Sequence, residues 1–129
     1  MKNEQGVLQA AAHLVSCFAK HDFDKYFECF SSDTVFVFYT TKNVLLNKSE
    51  YQKEWRNWEK DWGFHVKDCK STNQRVQMFD DTAIFSHDVA TTLETSDGGK
   101  SFEERETIVF NYQNDKWIAV HEHLSPMPE

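Results

Sequence analysis

The segment ERETIVFNYQNDKWIAVHEHLSP, residues 104–126, decides the fold. It reads as two strands around a turn at Asn114–Asp115. β-Branched and aromatic residues fill both strands, and Asn-Asp is turn chemistry. Strand side chains alternate between faces, so His121 and His123 share a face with Trp117, Ala119 and Ser125. Ile118, Val120, Glu122 and Leu124 face the other way. Both sets are largely apolar, as are Ile108 and Phe110 on the preceding strand and Val109 on its alternate face. Apolar residues on both faces imply that both are covered.

Working upstream, residues 102–113 (FEERETIVFNYQ) form a strand preceded by the hairpin loop SDGG. Residues 82–95 (TAIFSHDVATTLET) form another, and a DD turn at 80 and 81 leads back to a long strand over 64–79 (FHVKDCKSTNQRVQMF), with an irregularity at KSTNQ. Downstream, SPMPE ends the chain, its prolines preventing further pairing. The first half is helical. Leu8, Ala11, Ala12, Val15, Phe18 and Ala19 recur at helical spacing, which predicts a helix over 4–20. Asp24 is read as the N-cap of a short second helix burying Tyr26, Phe27 and Phe30. TVFVFYT, 34–40, is a strand apolar on both faces. Ser49 with Gln52 makes a capping-box pattern. Tyr51, Trp55, Trp58 and Trp62 then fall on one helical stripe. Helices first, then strands, means α+β: a curved antiparallel sheet wrapped like a cone around helices on one face.

The chain has 129 residues, which suits one domain spanning 1–129. Eleven phenylalanines and four tryptophans can fill a core and also line a cavity. The formal charge is −7 and no Lys/Arg cluster occurs, so a nucleic-acid partner is not expected. No apolar run reaches membrane-span length. Cys17, Cys29 and Cys69 are scattered, odd in number and without a CxxC. They are read as small buried hydrophobes in a reducing cytoplasm, with neither disulfide nor zinc knuckle.

The element order, and above all the 104–126 segment, resembles the nuclear transport factor 2-like superfamily, in its SnoaL-like and ketosteroid-isomerase-like branch. The association domain of calcium/calmodulin-dependent kinases looks related in the same segment. Arg105, Thr107, Trp117, His121, His123 and Ser125 carry the resemblance, and HDFDKYFECFSSD (21–33) looks like the family's second helix leading into its first strand. The resemblance implies the cone fold. It does not single out an activity, because this superfamily holds isomerases, cyclases, dehydratases, hydrolases and plain binding modules on one fold. It also implies that Trp117 and the histidines look into the cone. A second subunit would then cover the outer sheet face, giving a two-fold homodimer.

On this reading His121 and His123 are the polar floor of a pocket and the candidate acid/base pair. Arg105 steadies a developing oxyanion. Tyr39, Trp55, Trp58, Trp117 and Ser125 contact the ligand, an apolar carbonyl-type small molecule. The activity would be an isomerase, cyclase or hydrolase type without a cofactor. Two other readings of the histidine pair stand beside it: hydrogen-bonding to buried groups such as Glu104 or Asp88, and a chelate, for which a third ligand at diagnostic spacing is missing. The alternative function is a non-enzymatic binding or dimeric assembly module. A one-residue bulge would turn both histidines outward and put Glu122 in the pocket.

Overall fold

The computed structural model describes residues 1–128; residue 129, the end of the expected domain, lies outside the described residues. Three helices come in the first half: α1 (Glu4–Ala19), α2 (Phe23–Glu28) and α3 (Lys48–Trp62). Five strands complete the chain: β1 (Phe30–Phe38), β2 (His65–Phe79), β3 (Thr82–Thr95), β4 (Gly98–Gln113) and β5 (Lys116–Pro126). They form one sheet in the order β1-β5-β4-β3-β2. The expected α+β class holds. The pairs among β2 to β5 are antiparallel, but β1 pairs parallel with β5, so the sheet is mixed rather than wholly antiparallel.

Local chemistry explains the element ends. Asn3 caps α1, its side chain accepting from the Gly6 amide at 2.8 Å. Asp22, two residues before the expected Asp24, caps α2 by accepting from the Lys25 amide. Asn47 caps α3 in place of the expected Ser49, accepting from the Glu50 amide, while the Glu50 carboxylate accepts from the Leu46 amide. An Asn side chain satisfies a free helix amide as well as a Ser does. Gly63 ends α3 with φ +66°, a left-handed conformation that glycine adopts without strain. Asn114 and Asp115 both have positive φ, as a tight β4–β5 hairpin requires. The irregularity expected at KSTNQ is a register shift between Thr72 and Arg75, with Asn73 at φ +52°.

The helices lie on one sheet face. Val7, Ala11 and Leu14 of α1, Tyr26 and Phe27 of α2 and Trp55 of α3 are buried against Phe36, Phe85, Ile108, Phe110 and Ala119. Tyr26, Phe27, Tyr51, Trp55 and Phe64 make a web of tilted and edge-on ring pairs, with Trp55 fully buried at its centre.

One feature of β5 sets the site. Val109 pairs with His121, but Phe110 pairs with Ala119. Val120 is the extra residue, a β-bulge that reverses the parity of everything after it. The Ala119 carbonyl accepts from the buried Thr34 hydroxyl at 3.0 Å, and the Ala119 amide donates to the Cys29 carbonyl at 2.9 Å. Side groups and neighbouring backbone thus satisfy the backbone that the bulge takes out of the ladder.

Candidate functional site

Between the helices and the inner sheet face lies a cavity of about 170 Å³. Leu14, Val15 and Phe18 of α1, Trp58 and Trp62 of α3, and Phe64, Phe102 and Leu124 make apolar walls. Trp58 and Trp62 each hold ring centroids 5.4 Å from Phe64. The charged lining is acidic, Glu104, Glu106 and Glu122, beside the neutral polar groups of Tyr26, Thr40, Tyr51, Cys69 and Thr91.

Strand register explains why three carboxyl groups meet there. Residues directly opposite on paired strands point to the same face. Glu122 lies opposite Ile108, and Glu106 opposite both His87 and Leu124. Glu104 and Glu106 share the parity of the buried Ile108 and Phe110. On β3 the inward set is Ala83, Phe85, His87, Val89, Thr91 and Leu93, all buried, with His87 its one ionisable member.

Glu122 is 2% exposed, and its Oε2 has no hydrogen-bond partner among the described residues. Burial, with the like-charged Glu106 beside it, pushes its carboxyl well above the ordinary carboxylate range. The group is therefore a protonated acid through a range in which an exposed glutamate is ionised. Burial also raises Glu104, against the opposing effect of the Tyr39 hydroxyl, which donates to its Oε2 at 2.6 Å. Glu106 Oε1 is 2.8 Å from Nε2 of His87, and Nδ1 of that ring meets the Ser71 hydroxyl, to which Gln74 donates. A line of polar groups thus runs from the cavity through β3 to Ser71 and the exposed Gln74 on β2. Tyr26 and Tyr51 pair their hydroxyls at 3.1 Å inside the aromatic web; burial, then Glu122, raises both phenols far above their usual range.

The residues expected from sequence sort into two places. His121, His123, Arg105 and Ser125 come together, but on the outer face. Arg105 pairs with Ser125, Thr107 with His123 and Val109 with His121. Arg105 is half exposed and its Nε lies 3.6 Å from Asp88. Ser125 donates to the Arg105 carbonyl at 3.5 Å. The expected floor of histidines and the Arg105 oxyanion donor are therefore not in the cavity. The bulge at Val120 turned them away and put Glu122 there. Trp117 lies before the bulge and does face the helices, but its indole donates to the Met1 carbonyl at 3.0 Å, away from the cavity lining. Trp58 is a wall, as expected. Trp55 is core, its ring N–H donating to Glu59, and Trp62 takes its place as the second wall. Tyr39 reaches the site only through Glu104.

Sequence reasoning missed Glu106 and His87 as a pair. The signal was there: the alternation AxFxHxVxTxL over residues 83–93 puts His87 in an otherwise unbroken inward row.

A small cone-fold protein with an acidic and aromatic pocket between helices and sheet is the class that this fold and site define. The chain belongs to the SnoaL-like domain family, whose profile matches residues 7–129. No curated protein matches it in sequence. Among solved structures it is similar to a nuclear transport factor 2-like protein from Cytophaga hutchinsonii, with TM-score 0.82, 11% identity, and 98% and 100% of the two chains covered. It is also similar to a candidate calcium/calmodulin-dependent protein kinase II association domain from Xanthomonas campestris, with TM-score 0.79, 18% identity, and 95% and 86% covered. A third is a cystatin-like-fold protein of unknown function from Nostoc punctiforme, with TM-score 0.71, 16% identity, and 98% and 92% covered. At these identities the likeness concerns the fold alone. No helix among the described residues is long and apolar enough to cross a membrane.

Proposed function

We propose that this chain is a small-molecule pocket protein that exchanges a proton with a bound, largely apolar ligand. Glu122 is the proton carrier, and Glu106, oriented by His87, is its partner. The observation that carries the reading is the Glu122 carboxyl: buried, unpartnered at Oε2, and lining an aromatic cavity. A buried polar atom without a partner is rare unless a ligand or function supplies one. Proton transfer of this kind serves the isomerase, cyclase and hydrolase chemistries considered above, and asks for no cofactor. Native mass spectrometry of the untagged protein, beside its denatured mass, tests the reading. Retention of an organic mass that Glu122→Gln loses supports it. Retention unaffected by Glu122→Gln and by Glu106→Gln sinks it.

A second reading, assembly through the outer sheet face, has its own observation. Val35, Val37, Val109, Ile118 and Val120 are only half buried there, around His121 and His123. A charge placed at Val120 is then expected to split a dimer in sedimentation experiments; an unchanged mass removes this reading.

A further inference from the structure

We infer that the ligand of this cavity is a primary ammonium ion on a small apolar body. The inference rests on the pocket reading above and names its ligand class. The lining offers three carboxyl groups and no Lys, Arg or His side chain. Lys48 and Arg105 are engaged elsewhere, Lys48 donating to the Phe27 and Phe30 carbonyls and Arg105 lying on the outer face beside Asp88, while His87, behind the lining, meets only Glu106 of the three acids. A carboxylate stripped of water needs either a proton or a cation. An ammonium group has N–H donors and no acceptor, so it can meet one or two of these carboxylates without setting lone pairs against them. A carbonyl ligand would use one donor and set its lone pairs against the remaining carboxylate oxygens. The faces of Trp58, Trp62 and Phe64 suit a cation and its apolar body equally. A bare metal ion fits less well. Among the described residues the only trio of His, Cys, Asp or Glu ligand atoms within 4.8 Å of one another is His13, Cys17 and Cys29, away from this cavity.

The free pocket keeps Glu122 neutral. A cation binds its ionised form, so binding must release a proton. Around Glu122 the ionisable groups are Glu104 and Glu106 on β4, His87 on β3, Cys69 on β2, Tyr26 on α2, Tyr51 on α3, and Cys29 beside α2. Burial holds Cys29 and Cys69 up to about 12 and raises both phenols well above their usual range, so these stay neutral. α1 contributes Leu14, Val15 and Phe18, β1 contributes Phe38, and Thr40 follows it; none of these titrates.

Calorimetry with phenethylammonium, phenethyl alcohol and phenylacetone, from pH 5.5 to pH 8.5 and in buffers of different ionisation enthalpy, tests the inference. The expected result is binding of phenethylammonium about tenfold or more tighter than the alcohol, from its charge-assisted hydrogen bonds. Its affinity is expected to rise with pH, by up to about tenfold per unit while Glu122 still holds its proton, with proton release on binding. Glu122→Gln, which keeps shape and loses the charge, should weaken it about tenfold and abolish the release. Glu104→Gln is a second variant if the first folds poorly. Tighter binding of phenylacetone, weakening as pH rises, means that the neutral acid donates to a carbonyl: the ammonium inference fails and the pocket reading stands. Ammonium binding indifferent to both variants is surface attraction to a negative protein, and overturns the inference. Failure of all three probes to bind overturns the pocket reading with it.

Discussion

The two faces of one sheet differ more than their sequences suggest. The inner face joins aromatic bulk to carboxyl groups with no lysine or arginine among them. The outer face joins valines and isoleucine to histidines, an arginine and an aspartate within reach of water. Strands β4 and β5 supply the carboxyl groups of one face and the arginine and histidines of the other, so that part of the contrast comes from parity and not from composition. A polar side chain acquires unusual chemistry here by facing the helices, where desolvation is strong. The identical side chain one residue along stays ordinary.

That contrast can be broken most severely at Val120. Its deletion would bring His121 and His123 to the inner face and Glu122 to the outer one. With two imidazoles driven into the cavity and the Thr34–Ala119 bond lost, the cooperative thermal transition should disappear, as followed by circular dichroism. Next in size, Phe85→Ala on the inner face should cost about 3–5 kcal/mol in urea denaturation, from lost transfer energy and a residual cavity. Val109→Ala on the outer face should cost about 1 kcal/mol or less, since its site is already half open. Equal costs would mean that the faces are not differently packed.

The buried acid gives a signed prediction. Its folded pKa is raised, so between the unfolded value, about 4.3, and the folded one the native state holds a proton that the unfolded chain has lost. Stability is therefore full below that unfolded value and falls as pH rises through the window. Glu104, raised in the same direction, adds to the slope. His21 acts oppositely, because burial lowers its pKa against the pull of Glu59, but only below about pH 6.5. Glu122→Gln should thus stabilise the protein at pH 8 by about 1–3 kcal/mol and leave it nearly unchanged at pH 4. Urea titrations at the two pH values check this. The smallest effect belongs to the outer face. His121→Ala with His123→Ala should change stability by about 0.5 kcal/mol and leave ligand retention intact. Loss of ligand in that double variant would restore the histidines as site residues.

The fold was legible in the sequence because it rests on periodicity and turn chemistry, which are local. Asn114–Asp115, the Tyr51 to Trp62 stripe and the irregularity near KSTNQ all stand where they were expected. The site was legible only in part. Parity along β5 depends on a single inserted residue held by Thr34 on a different strand, and nothing within VHEHLS announces it. The inward row of β3 and the row Glu104, Glu106, Ile108, Phe110 on β4 were uninterrupted and readable. The His-x-His spacing on β5 is the more conspicuous pattern, although the inward residue there is the Glu122 between the two histidines. The cap at Asn47 was missed for a smaller reason: Ser49 offered equivalent chemistry two residues on.

The Val120 bulge also bears on inheritance. In a pleated strand, one inserted or deleted codon exchanges every later side chain between pocket and surface at once. A lineage of such cones can therefore trade a histidine floor for a glutamate floor without substituting a single residue. Column-by-column alignment of β5 would pair residues that look in opposite directions. For chains of this kind, position relative to the bulge is the coordinate in which chemistry is passed on.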